Sequence, residues 1–330
     1  MSLGTRTDFV ITSQLLARVF CLIGVLLVLS GCRTLSEESS GTASGASSTA
    51  SPRASQPKAR ESADLRARVL SYTEDLDPDG PYSPPDDEQR ARLAEGVGSL
   101  LEGDAREAER LLAPLGLGVT RLTDTGSGRR YDEVAATGPG TSARWGRLYL
   151  SADAPLRWSA QVPHPVADRD TEELGVRLLE RAPGGALVLA GAHRRAGHGA
   201  ADVAHREDSA FHGIVLELQK RGVPGIQLHG FAESTTDRYD AVLSTGAAGS
   251  APGEVSALAD RMEAKGLRVC RGWSARCPLE GTTNVQGRAA LREEAAFVHL
   301  ELAPGARGDG PDTDEAADAV AGLLSAWAKN

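Results

Sequence analysis

Residues 158–190 read WSAQVPHPVADRDTEELGVRLLERAPGGALVLA, and the pattern of this stretch sets the fold class. Leu156 to Val162 is a strand-length run, Leu174, Leu178 and Leu179 recur at helical spacing behind Thr171 as the expected cap, and Pro183-Gly184-Gly185 stops the helix. Ala186 to Ala190 then contains no polar residue, as expected of a strand buried on both faces of a parallel sheet. The same alternation continues downstream. Ser209 is placed to cap a helix whose Phe211, Ile214, Val215 and Leu218 form one apolar face, and Gly225 to Leu228 reads as the next strand. Asp240 to Leu243 and Leu267 to Cys270 read as strands on either side of a helix marked by Val255, Leu258 and Met262. Phe297 to Leu302 reads as the last strand, and Ala317, Val320, Leu324 and Trp327 stripe a closing helix. Alternation at this pitch predicts an α/β domain over residues 151–330, with a mostly parallel or mixed sheet and helices on both faces.

Upstream, residues 62–150 read as a small α+β extension. Leu93, Val97, Leu100 and Leu101 give one helix, Ala108, Leu111 and Leu112 resume after Gly103-Asp104, and strands follow. Arg144 to Leu150 and Leu156 to Val162 read as two strands joined by the turn Ser151 to Pro155. Residues 32–61 are rich in Ser, Ala and Gly with almost no large apolar side chain, which predicts a disordered tether. Arg6 and Arg18 precede an uncharged stretch, Val19 to Ser30, that is too short to span a bilayer and reads as a signal-peptide core.

Leu29-Ser30-Gly31-Cys32 resembles the lipobox of bacterial lipoproteins, which implies cleavage after residue 31, lipidation of Cys32, and export to the cell envelope on the inner or outer membrane. An oxidising compartment leaves Cys270 and Cys277 as the thiols of the folded part, and their spacing admits one local disulfide; a zinc ribbon lacks its other ligands. The net charge of -9, with no Lys/Arg cluster, excludes nucleic acid as the expected partner. Aromatics make up only 4% of the chain, so an aliphatic core is expected.

His164, His193, His229 and Glu301 each stand in or just after an apolar run, and open α/β sheets bind ligands beyond the carboxyl ends of their strands. Zinc in hydrolytic sites takes three protein ligands, often two histidines and a carboxylate. His164, Glu172 at the start of the next helix, and His229 form such a set for one Zn2+ ion, with Glu301 as the catalytic general base. Asp168 and Glu173 compete with Glu172, since all three acids surround a helix start, where the macrodipole favours negative charge without any metal. Strand alternation puts His299 on the same face as Glu301, either lining the cleft or pairing with that acid. In the loop after the second strand, Arg194 suits a substrate carboxylate, with His205 beside it, and Asp202 and His205 are candidates to orient that guanidinium or to serve as a ligand. Residues 281–287, GTTNVQG, read as a polar surface loop, and His212 as structural.

The order His164, Glu172, His229, Glu301 resembles that of zinc-dependent N-acetylmuramoyl-L-alanine amidases. It is similar, more loosely, to zinc carboxypeptidases, N-formylglutamate amidohydrolases and poly-gamma-glutamate hydrolases, over roughly Leu156 to Ala303. The motifs depart from the amidase pattern. Pro163-His164-Pro165 replaces a Gly-His-Gly-Gly loop, Gln227-Leu228-His229-Gly230-Phe231 replaces a Ser-x-His-x-Asn stretch, and Ala167 stands where the carboxypeptidases carry the Glu of His-x-x-Glu. The resemblance implies a lipid-anchored hydrolase cleaving an amide or peptide bond of a small-molecule or peptide substrate. The competing class is a non-catalytic envelope lipoprotein that binds such a molecule in the same cleft. A serine esterase is disfavoured because no Gly-x-Ser-x-Gly elbow occurs.

Overall fold

The computed structural model describes residues 59–329; the signal segment, Cys32 and most of the expected tether lie outside the described residues. Strand β1 (Glu61–Ala63) already occupies the expected end of the tether, and α1 (Leu65–Thr73) follows it. The helical pair is α2 (Asp87–Leu101), held at its start by a capping box between Asp86 and Gln89, and α3 (Ala105–Leu112). Strands β2 (Leu117–Asp124), β3 (Arg130–Ala136), β4 (Arg147–Ser151) and β5 (Trp158–Val162) come next. The alternating part runs α4 (Thr171–Arg181), β6 (Gly185–Leu189), α5 (Ala210–Gln219), β7 (Gly225–Gly230) and β8 (Ala241–Ser244). It closes with α6 (Gly253–Ala264), β9 (Val269–Arg271), α7 (Val285–Arg292), β10 (Phe297–Leu302) and α8 (Thr313–Trp327).

The strands of the described residues join one ten-stranded sheet in the order β1-β2-β3-β4-β6-β5-β7-β10-β8-β9. Its centre, β6-β5-β7-β10, is parallel, while β3, β4 and β8 enter antiparallel, so the sheet is mixed. The stretch expected as an N-terminal extension and the stretch expected as the α/β domain share this sheet through the β4–β6 ladder. Three readings are corrected here. Strands β4 and β5 are not neighbours, because β6 inserts between them. Residues 281–287 are not a plain surface loop, because Asn284 caps α7 and is buried with Gln286. Helix α4 begins at Thr171 itself, after a left-handed Asp170.

The two faces of the sheet differ in kind. Under α1, α4, α6 and α8 the inward side chains of the parallel centre are aliphatic or aromatic, with Trp158, Val162, Leu189, Leu228 and Leu300 at 1% exposure or less. On the opposite face, under α2, α3, α5 and α7, strands β4 and β6 present Leu148, Leu150, Ala186 and Val188. Registered residues on adjacent strands share a face, so the rows continue from Ala186 to Ser159 and from Val188 through Gln161 and Gln227 to His299. His229 and Glu301 form the next row. Half of this face is therefore polar and buried, an arrangement that is costly unless every group finds a partner.

Candidate metal centre

The parallel strands β5 and β7 end side by side, and each delivers an imidazole at its carboxyl end. His164 follows β5 in the turn Pro163-His164-Pro165, and His229 is the penultimate residue of β7. Between His164 and α4 the chain folds back in an irregular loop in which Val166, Arg169 and Asp170 all take positive φ, at 66°, 22° and 64°. A β-branched residue in that region is strained, so the surroundings must impose the shape. Arg307 does so. Its guanidinium, 6% exposed, donates to the carbonyls of Asp168 (2.8 Å), Arg169 (2.5 Å), Phe231 (2.8 Å) and Leu302 (3.2 Å), tying the loop to the ends of β7 and β10.

The loop brings Asp168 between the two rings. Its Oδ2 lies 3.2 Å from Nδ1 of His164 and 2.9 Å from Nδ1 of His229. One ligand atom from each of the three buried residues falls within 4.8 Å of the others, a group able to hold a metal ion. The far nitrogens are also engaged. Nε2 of His164 is 2.7 Å from Oδ1 of Asp202, and Nε2 of His229 is 2.9 Å from Oε1 of Gln227. Oxygen partners on the far nitrogens are what orient metal-binding imidazoles.

Burial works to raise the Asp168 carboxyl, but its contacts with the His164 and His229 imidazoles hold it well below the usual carboxylate range. His164 loses by burial and gains more from its bonds to Asp168 and Asp202, so its proton is held more tightly than usual. His229 is different: burial first, and then the neighbouring His299, push it down to about 4. A neutral imidazole has one N–H, yet His229 faces an acceptor at each nitrogen, Asp168 and Gln227. His229 is thus one donor short, and a divalent cation held by His164, Asp168 and His229 would supply positive charge there. The residues present fit the group.

No protein-family model matches the chain, and no curated protein does. Among solved structures it is similar to the zinc-free form of YNDL at 14% identity, covering 56% of this chain and 89% of that one, with a TM-score of 0.38. It is also similar to a metallo-carboxypeptidase from Burkholderia cenocepacia (15% identity, 75% and 69% covered, TM-score 0.38). A succinylglutamate desuccinylase from Silicibacter is a further likeness (12% identity, 64% and 70% covered, TM-score 0.35). The chemistry of the site rests on its own donor atoms.

Of the three acids that competed at the helix start, Asp168 is the one that meets the imidazoles. Glu172 is buried in the first turn of α4 with Oε2 3.4 Å from the Val166 amide, and burial raises its carboxyl; it is outside the His–Asp–His group. Glu173 pairs with Arg66 at 2.5 Å and Arg177 at 2.7 Å. Glu301 sits in register beside His229, with Oε1 3.4 Å from Nε2 of His299, and the His299 ring lies 4.5 Å from that of His229. His193 stands apart from the group, its Nδ1 accepting from the Arg195 amide. Asp202 gathers the loop after β6: besides His164 it takes Nη2 of Arg194 at 2.9 Å and Nδ1 of His205 at 3.2 Å. Cys270 and Cys277 are bonded, closing the segment after β9. Sequence reasoning passed over Gln227, although it stands two residues before His229 and alternation puts it on the same face.

Proposed function

We propose that the protein is an exported, lipid-anchored, zinc-dependent hydrolase of an amide or peptide bond. The observation that carries this reading is the convergence of two Nδ1 atoms and a carboxylate oxygen on one buried point. Zinc held there supplies Lewis acidity toward a carbonyl and acidifies water toward a pKa of about 7. His164, Asp168 and His229 hold the ion in this reading. Asp168 takes the ligand role for which Glu172 was the first expectation, and Asp202 and Gln227 fix the two rings from behind.

Glu301 is assigned as the general base. It stands beside His229 in the sheet and keeps 8% of its surface accessible, so its carboxylate takes a proton from water and returns it to the leaving amine. Arg194 and His205 are more exposed than the three ligands and are both anchored on Asp202. Their placement supports recognition of an anionic group on the substrate, with the guanidinium fork meeting a carboxylate. Anchoring through Cys32 places this chemistry at the cell envelope.

Elemental analysis of purified protein, joined to an assay on an amide and peptide library, tests the reading. One zinc per chain, lost in His164→Ala and His229→Ala, together with amide hydrolysis is the expected result. Absence of stoichiometric metal overturns it, and zinc uptake with no hydrolysis of any amide leaves a binding lipoprotein.

A further inference from the structure

Three carboxamides and a helix cap stand behind His229, in a core that is apolar on the other face of the same strands. Gln161, Gln227 and Gln286 have no accessible surface and Asn284 has 2%. Burying this many amides is unfavourable unless each is fully bonded, and here the bonds run in one direction.

The direction starts at two main-chain groups. Oδ1 of Asn284 accepts from the Gly287 amide at 2.9 Å as the cap of α7, so Nδ2 is the atom turned toward Gln227, where it donates to Oε1. Nε2 of Gln286 donates to the Val203 carbonyl at 2.9 Å, which leaves its Oε1 to accept from Nε2 of Gln227 at 3.3 Å. A backbone N–H only donates and a backbone C=O only accepts, so neither anchor can be reversed. Gln227 is thereby set from two sides, with Nε2 also donating to Oε1 of Gln161 at 3.2 Å. Its oxygen lies 2.9 Å from Nε2 of His229. Gln227 thus presents an acceptor that cannot turn over, and an imidazole proton placed on Nε2 to meet it leaves the lone pair on Nδ1, toward Asp168.

We propose that Asn284 and Gln286, acting through Gln227, are positioning residues that hold His229 as its Nε2–H tautomer and so keep Nδ1 open for a divalent cation. The relay rests on the metal reading above and adds the residues that prepare one ligand before any ion arrives. It also accounts for an amide network under α7 that neither the ligands nor Glu301 require.

The test uses the full chain and zinc alone as probe, with affinity measured by competition against a chelating indicator. Asn284→Asp keeps a good helix cap but removes the donor to Gln227, and it touches no ligand. A carboxylate added near a cation site tightens binding by charge alone, whereas the relay requires weaker binding, by about 10-fold or more. Gln227→Met removes the acceptor in nearly the same volume and is expected to weaken zinc by about 10- to 100-fold. Nitrogen-15 spectra of histidine-labelled, metal-free protein are expected to show Nε2–H at His229 in wild type and Nδ1–H in Gln227→Met. Either folded variant binding zinc as tightly as wild type, or an Nδ1–H tautomer in the wild type, overturns the relay. If the wild type takes up no zinc, the donor-set reading fails while the spectra still decide the tautomer. If Asn284→Asp does not fold, Gln227→Met and the wild-type spectrum decide the matter.

Discussion

Nη1 of Arg307 donates at 2.8 Å to the main-chain oxygen of Asp168, 139 residues earlier in the chain, and this bond shapes the loop that presents the carboxylate. Among the described residues, no acid forms an ion pair with the guanidinium. Burial lowers its pKa, the nearby charges of Asp170 and Asp168 oppose that, and four carbonyls accept its hydrogen bonds. Arg307→Met removes the side-chain donor to the Asp168, Arg169 and Phe231 carbonyls and is expected to cost about 3 kcal/mol or more. The positive-φ residues around Asp168 then relax, so zinc affinity falls together with the urea midpoint. Gly230→Ala tests the same clamp from the strand side. A Cβ there would meet the Asp168 carbonyl oxygen at 2.6 Å and the Arg307 guanidinium carbon at 2.7 Å, at an expected cost of about 1–3 kcal/mol.

Two acids near the start of α4 separate under substitution. Asp168→Asn keeps the shape but removes the charge that faces both Nδ1 atoms, and zinc affinity is expected to fall by about 100-fold or more. Glu172→Gln alters a carboxyl whose hydrogen bond goes to the Val166 amide, and zinc binding is expected to stay within a few-fold of wild type. Titration of both variants against a competing chelator checks the pair. Equal losses would move the ligand role back to Glu172.

Stability of the metal-free protein is expected to peak near pH 6.5. Burial pushes His229 and His212 down to about 4, so between pH 6.5 and 4 the unfolded chain takes up protons that the folded chain refuses, and stability falls with acidification. A tenfold difference in proton affinity between the folded and unfolded chain is worth about 1.4 kcal/mol, which makes the combined loss several kcal/mol by about pH 4. His164 has the opposite sign. Its pKa is raised, so its contribution is complete below the unfolded value of about 6.5 and is lost as pH rises through the folded one. Asp168 and Asp202, both held low, give way only below the unfolded carboxylate value of about 3.9. Urea midpoints at pH 8, 6.5 and 5 check the curve, and a maximum at pH 5 would contradict it.

The parallel centre of the sheet was legible because its strands are short apolar runs bounded by turn residues, and the bounds of Phe297–Leu302 follow from its sequence to the residue. The order of strands was not, because the insertion of β6 between β4 and β5 is decided by pairings distant in sequence. Helix α7 was hidden by its composition. Its buried face is made of Val285, Gln286, Gly287, Ala289 and Ala290, which carry too little apolar contrast to show a helical period. His164 and His229 were legible as residues at strand ends. Asp168 was not separable from Glu172, because the loop that turns it inward is irregular and is shaped by Arg307 from the far end of the chain.

Glu301→Gln separates catalysis from metal binding. The acid is outside the His–Asp–His group and sits in register with His229, so an amide in its place leaves the donor atoms untouched. Zinc affinity is expected to stay within a few-fold of wild type. A glutamine cannot accept the proton of water, so kcat on a cleaved amide is expected to drop by about 100- to 10,000-fold, the usual worth of a positioned general base. His299→Gln is the companion. It removes the imidazole 3.4 Å from Oε1 of Glu301 without removing the acid, so a smaller loss of kcat is expected, with zinc retained. Full turnover in zinc-loaded Glu301→Gln would assign the proton transfer to another group.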